Sequence, residues 1–301
     1  IKGDQLLLLK YFSKEINNTK RIEESIVLRI LISEDHCNLE TLNKELNNRF
    51  GYSIDNDTYK SVVSNLKLLF TTERFNKKDL PVGEIKGYHI IAEEFNSISC
   101  GKTLKEALSN KTFKNYLIDS IEYSLNIFSD QFKKENFNKG FILYKKYSRK
   151  DCFRILNWKQ EPNYQNVGGY MFHENDLNCP IFVNYHKEEG ISDTTKYEDG
   201  FINPSTLIYM SKSKRKLNSP DVIKFQNAVN LKIRLPLFIK KENAEGDDFY
   251  YMGDVTPISD NFVQTTIGEE KPVSVVKMAF SLNTPVENNM YDYITKGNTI
   301  T

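Results

Sequence analysis

Cysteine is scarce and scattered. The four in 301 residues, Cys37, Cys100, Cys152 and Cys179, form no CxxC pair. That spacing argues against structural zinc and makes reduced thiols in a cytoplasmic protein the expectation. Long apolar runs are missing too. Leu6 to Leu9 is the longest run of Leu, Ile and Val, far short of the roughly 20 apolar residues of a membrane helix, so no membrane partner is expected. The first residues, IKGD, have no initiator Met, basic n-region or cleavage site, and read as the cut edge of a longer polypeptide. Charge of one sign is also lacking: 41 basic residues face 40 acidic ones.

Catalytic signatures are equally thin. There is no G-x-x-x-x-G-K-[ST], no G-x-S-x-G and no H-E-x-x-H, so neither a phosphate-cradling loop, a nucleophile elbow nor a zinc-protease helix is encoded. His36, His89, His173 and His186 contain no metal-spaced pair, and His89 reads as a half-buried strand residue. Glu84-Ile-Lys86 has the E-x-K form of a nuclease triplet but lacks an aspartate on a neighbouring strand. Asp247, Asp248 and Asp254 read as an acidic loop leading into a strand, with Mg²⁺ binding the weaker alternative. The expected catalytic and metal residues of this chain are therefore none.

What is present is segregated charge. Asn203 to Lys241 holds nine Lys or Arg against Asp221 alone, and Glu242 to Glu270 holds eight acids and no base. Lys145 to Lys159 adds six bases against Asp151. Such blocks either place a positive stripe on one face, as a polyanion requires, or form ordinary solvated faces that pair in space.

Hydrophobic periodicity makes the first half helical. Ile22 to Leu31 keeps helical spacing and stops at Ser33-Glu-Asp; Asn38 can cap a helix carrying Leu39, Leu42 and Leu46; Asp57 or Thr58 can cap a third ending near Phe70. With Thr71 to Lys86 as a wing, the three helices read as a winged helix or as a plain helical connector. Leu104 to Phe132 reads as one further long helical region. Near Asn136 to Gly140 the pattern changes, dividing a helical domain, 1–138, from a second domain, 139–301. There, Tyr170–Phe172, Ile181–Tyr185, Leu231–Ile239, Phe249–Met252 and Val273–Leu282 read as strands, and Tyr147–Trp158, with Ser148 as cap, and Val222–Val229 as helices. The fold class expected is α+β, the second domain a small mixed barrel.

The densest chemistry lies between Cys179 and Leu217. Tyr185, Tyr197, Phe201 and Tyr209 alternate with Glu198, Asp199, Ser211 and Ser213. Aromatic faces stack on bases, and a carboxylate accepts from an exocyclic amine. Lys212, Ser213, Lys214, Arg215 and Lys216 are phosphate contacts in this reading, joined by Arg149 and Lys150 of the second basic stretch. Phe201 and Tyr209 are as readily core as pocket residues.

Five ordered motifs then carry a resemblance: YSRKDCFRILNW, GGYMFHENDLNCPIFVNYHKE, TTKYEDGFINP, YMSKSKRKLNS and GDDFYYMGDV. Over roughly Gly140 to Val286 the chain resembles a bacterial C-terminal domain of formerly unknown function that follows superfamily 2 helicase cores in modified-cytosine-dependent type IV restriction enzymes, often with a phospholipase-D-like nuclease at the far N-terminus. The resemblance implies a PUA/SRA-like barrel that flips 5-methylcytosine or 5-hydroxymethylcytosine out of duplex DNA. The helicase and nuclease domains of the same polypeptide would be its partners, and ATP and Mg²⁺ would serve the helicase. The family's HxK nuclease motif is absent here. SRA domains hold the base between two rings with an aspartate at its polar edge. Tyr197 and Tyr209 are the first pair from pattern, Tyr170 and Phe201 the reserve, Asp199 the acceptor and Glu198 its alternate. The rivals are a methylation-indifferent DNA grip and a protein-docking domain of the motor.

Overall fold

The computed structural model describes residues 1–186, 199–268 and 272–296. The chain divides into two compact units, Ile1–Ile142 with Phe153–Glu161, and Leu143–Cys152 with the residues from Pro162 onward. Among the described residues no helix is long and apolar enough to cross a membrane. All four cysteines are buried, and none is in a disulfide among the described residues.

In the first unit α1 (Gly3–Tyr11) runs into a π-helical turn, Phe12–Ile16, and is followed by α2 (Glu23–Glu34), β1 (His36–Cys37), α3 (Leu39–Phe50) and α4 (Asn56–Leu66). Asn38 caps α3 as its sequence suggests, accepting from Thr41 N–H at 2.8 Å. The cap of α4 is Asp55, not Asp57 or Thr58: its carboxylate takes the Thr58 N–H at 2.8 Å, so the helix begins two residues earlier. A hairpin follows, β2 (Thr72–Phe75) and β3 (Lys78–Pro81), then α5 (Val82–Lys86), β4 (Ile91–Glu93), β5 (Ile98–Cys100), α6 (Lys102–Leu108) and α7 (Lys111–Gln131). The segment Thr71 to Lys86, read as a wing, joins no other strand of this unit among the described residues, and the sheet of the unit has the order β1-β5-β4. The hairpin that pairs back to the strand after α2 is Ile91–Cys100, and β2–β3 is a separate ribbon. Leu104 to Phe132 is two helices, because Asn110 turns its side chain onto Thr112 N–H and Phe113 N–H and starts a new one. His89 lies exposed before β4 instead of half-buried within a strand. Glu84 and Lys86 sit on α5, where they cannot form the strand-borne E-x-K triplet.

An ionic cluster lies inside this unit. Arg21 donates through Nε to Glu24 Oε1 at 2.8 Å and through Nη1 to Ser61 Oγ at 3.1 Å and the Arg154 carbonyl at 2.9 Å. Asn65 also donates to Glu24 Oε1 at 2.8 Å. Burial alone would raise the Glu24 carboxyl, but Arg21 and Arg154 beside it hold it below the usual carboxylate range.

A short hairpin, β6 (Phe137–Asn138) and β7 (Phe141–Ile142), leads to β8 (Lys146–Tyr147), α8 (Arg149–Ile155) and α9 (Tyr164–Val167). Ser148 caps α8, its Oγ accepting the Asp151 N–H at 3.1 Å. Then come β9 (Ile181–Asn184), β10 (Gly200–Asn203), β11 (Thr206–Met210), α10 (Pro220–Gln226), β12 (Pro236–Lys240), β13 (Phe249–Pro257), β14 (Val263–Ile267), β15 (Val273–Leu282) and α11 (Asn288–Thr295). The fold class is α+β: a helical region, then one eight-stranded mixed sheet in the order β10-β11-β15-β13-β12-β9, with β14 on β15 and β8 on β13. The pairing of β9 with β12 is parallel. β13 and β15 are long enough to change partners along their length, which curls the sheet into a half-barrel about the core of Leu207, Tyr209, Leu237, Met278 and Phe280.

Three local expectations fail here. Tyr170–Phe172 is no strand; Tyr170 makes one isolated bridge to Ile181. Of Leu231–Ile239 only the part from Pro236 is strand, since Leu231 N–H and Ile233 N–H close turns back onto Asn227 and Ala228. Asp254 is held by Arg234 Nε at 2.9 Å and the Tyr251 hydroxyl at 2.8 Å, so it lies within β13 as half of an internal ion pair and is not part of an acidic loop before the strand.

Candidate functional site

β9, the last strand in the sheet order, is apolar and buried on both faces from Ile181 to Val183, until Asn184 at its end. On β11 the period of two sends Leu207 and Tyr209 inward. Between them the chain passes through Gly168-Gly169, and the Gly169 carbonyl accepts Phe182 N–H at 2.7 Å. These three segments, with the first turn of α8, enclose a cavity of about 380 Å³. That is within the roughly 300–1,000 Å³ range of small-molecule sites.

The cavity wall collects Arg149, Asn184, Asp199 and Lys212, together with the rings of Tyr164, Tyr170, Phe182 and Tyr209. Asp199 accepts Met210 N–H at 2.8 Å, which ties the start of β10 to the end of β11. The Arg149 guanidinium lies 5.3 Å from the Phe182 ring centroid and 5.2 Å from that of Phe249, and burial lowers its pKa. Its Nε and the Asn184 Oδ1 are both buried without a hydrogen-bond partner among the described residues. Lys212 Nζ sits 4.8 Å from the Tyr170 ring centroid and 3.4 Å from the Asn166 carbonyl, and burial lowers its pKa as well. A donor and an acceptor left unpaired on one cavity wall are costly unless a ligand satisfies them.

The residues expected from sequence divide. Tyr170, Asp199 and Tyr209 line the cavity, and so do Arg149 and Lys212 from the phosphate group of candidates. Tyr170 and Tyr209 are almost fully buried and meet edge to face, with centroids 6.1 Å apart at 69°. They cannot clamp a base between parallel faces. The Tyr170 hydroxyl donates to Asp221 at 2.6 Å, and Arg215 Nε takes the same oxygen at 2.7 Å. Burial alone would raise the Asp221 carboxyl, but these two bonds hold it low. Phe201 is not on the cavity wall: its ring stacks with Tyr185 at 5.9 Å and leans on Tyr291 at 5.6 Å. Tyr197 and Glu198 lie outside the described residues. Lys214 and Lys216 are exposed on the loop after β11, and Lys150 and Ser213 are half-buried.

Sequence reasoning missed Asn184, Tyr164 and the glycine pair. A polar residue ending an otherwise apolar strand, and Gly-Gly directly before Tyr170, were the available signals. A Cβ on Gly169 would lie 2.1 Å from the Tyr209 hydroxyl. Gly169→Ala is therefore expected to destabilise the second unit by about 1–3 kcal/mol, the usual cost of overpacking. Removing the hydroxyl with Tyr209→Phe in the same chain is expected to restore most of it; urea midpoints of the single and double variants check this.

A family model described as a domain of unknown function (DUF3427) matches residues 141–294. The chain belongs to that family. A second model, also of a domain of unknown function (DUF8090), matches residues 3–134. Among solved structures the chain is similar to an SRA domain of SUVH5 in a hemi-methylated CG DNA complex, at 13% identity and a TM-score of 0.35, covering 50% of this chain and 96% of that one. It is similar also to the DNA modification-dependent restriction endonuclease AspBHI, at 13% identity and 0.33, over 49% and 77%. The sulfur-binding and SRA domains of ScoMcrA, complexed with phosphorothioated DNA, match at 9% identity and 0.32, over 94% and 90%. No curated protein matches the chain. Among the described residues no group of three or more His, Cys, Asp or Glu side chains could hold a metal ion.

Proposed function

We propose that this DUF3427 unit reads 5-methylcytosine or 5-hydroxymethylcytosine in duplex DNA, receiving the flipped base in the cavity of Arg149, Asn184 and Asp199. The reading rests on one observation: a buried donor and a buried acceptor stand unpaired on the wall of a base-sized, ring-lined cavity. Cytosine offers a complementary edge, an N4 amine to donate and N3 and O2 to accept. Arg149 supplies the donor for O2 and N3, and Asp199 and Asn184 supply acceptors for N4. Tyr164 gives the stacking face that the crossed Tyr170 and Tyr209 rings do not. Lys214 and Lys216 hold the flanking phosphates. In this role the chain is the specificity module of an ATP-dependent type IV restriction system whose helicase and nuclease act elsewhere in the same polypeptide.

Extruding the base costs a few kcal/mol of unpairing and unstacking. One stacked ring returns about 1–3 kcal/mol, so the edge hydrogen bonds must supply the rest. Burying one methyl adds about 0.8 kcal/mol, roughly fourfold in affinity. A larger preference requires that the unmodified base leave its space unfilled.

Competition at fixed salt between one duplex carrying 5-methylcytosine and the same duplex unmodified tests the proposal. The expected result is a preference above fourfold that Asp199→Asn removes. Asparagine keeps the acceptor for Met210 N–H but can turn a donor toward the N4 amine. Equal affinities for the two duplexes in the unaltered chain would overturn the reading in favour of a methylation-indifferent grip.

A further inference from the structure

The ribbon β2–β3 is packed at its base, where Pro81 is buried and leads into α5, but every residue from Glu73 to Asp79 is exposed, and among the described residues the two strands pair only with each other. A two-stranded ribbon is marginal in isolation and gains little here from packing. Its register puts Phe75 opposite Lys78, with Asn76 and Lys77 as a two-residue turn at φ 47° and 65°. Both turn residues are left-handed, a conformation that glycine adopts more cheaply; lysine at this position places a cation at the extreme tip.

The charges along the ribbon are not equivalent. Glu73 accepts from the Tyr11 hydroxyl at 2.7 Å, and Arg74 faces Asp79 at 3.8 Å. The ammonium groups of Lys77 and Lys78 have no ion pair or hydrogen bond among the described residues. Phe75 beside them keeps half its surface in water. The face of α4, by contrast, has its cations engaged: Lys60 with Asp57 at 3.8 Å and Lys67 with Glu93 at 2.8 Å.

We propose that the tip of the β2–β3 ribbon, Phe75, Lys77 and Lys78, is a second, sequence-independent contact to duplex DNA. The two ammonium groups neutralise backbone phosphates, and the ring covers adjacent sugar edges, an apolar surface that a free anion would not offer. Charge complementarity chooses the partner: two unpaired cations beside an exposed ring on a projecting ribbon match a polyanion with apolar sugars. The α4 face, whose lysines are already neutralised, does not.

The test uses the full chain and an unmodified duplex, so it holds whether or not the cavity reads cytosine. Lys77→Gln with Lys78→Gln is expected to weaken binding several-fold and to lower the slope of log affinity against log salt by about 2, since each phosphate contact contributes about 0.9. The preference for modified over unmodified duplex should be unchanged. Phe75 replaced by photoreactive benzoylphenylalanine should crosslink to the DNA strand. Unchanged affinity and slope in the lysine variant, or a crosslink to protein and none to DNA, would overturn the proposal. The fall in slope decides the ribbon whichever way the modified-base preference comes out, since that preference reads the cavity alone.

Discussion

Arg149→Met is expected to lower affinity for the modified duplex about 10- to 100-fold and to leave the melting temperature of the chain unchanged or raised. The two effects have one origin. The guanidinium packs against both the Phe182 and Phe249 rings, which meet edge to face, and is half-buried with Nε unpaired among the described residues. Hydrogen bonds to charged groups contribute roughly 1.5–3 kcal/mol, which the bound base would recover and the methionine could not. Without a ligand, replacing a desolvated and unpaired charge by an apolar side chain of similar length is neutral or favourable. Were Arg149 a phosphate contact, as its place in the basic stretch suggests, both duplexes would lose affinity alike and the salt slope would fall. Anisotropy titrations of both duplexes, with a thermal melt, separate the outcomes.

Arg21→Ala is expected to have the largest effect on stability, about 3–5 kcal/mol for the first unit. Removing one partner of a buried ion pair leaves the other charge uncompensated. Arg21 and Glu24 are each almost wholly inaccessible, and Glu24 is held by Arg21, Arg154 and Asn65 together. The folded-state pKa of Glu24 is depressed below its unfolded value. Its contribution is therefore full above the ordinary carboxylate range and is lost as pH falls through that range toward the lower folded value. Urea midpoints at neutral and acid pH should show a wide gap between the parent and Arg21→Ala chains at neutrality, narrowing in acid.

Local signals carried most of the helical half. The cap at Asn38 and the periodic stripe of α2 each depend on neighbours within a few residues, and both stand. The same holds for Ser148 at α8 and for Val273–Leu282 as a strand. Failures came where a distant partner decided. Asp254 is an ordinary acid in the chain and half of an ion pair in the fold, because β12 brings Arg234 beside it. The ribbon β2–β3 and the hairpin β4–β5 look alike in sequence as short hairpins, and only pairing with β1, about sixty residues earlier in the chain, tells them apart.

The site shows the same division. Residue types alone pointed to Tyr170, Asp199, Tyr209 and Lys212, since stacking faces, an acceptor and cations are what a base and its phosphates require. Whether those groups share a wall depended on the curl of the sheet, which brings the end of β9, the end of β11 and the first turn of α8 around one cavity. Ring orientation was likewise tertiary: Tyr170 and Tyr209 cross edge to face because Asp221 anchors one hydroxyl and Gly169 leaves room for the other. The unpaired Arg149 Nε had no local signature. By itself the sequence determined periodicity, caps and the inventory of chemical groups, all set within a turn or two of chain. Which polar atoms are sealed from water without a partner was decided only by tertiary structure, because burial is a property of everything packed around an atom.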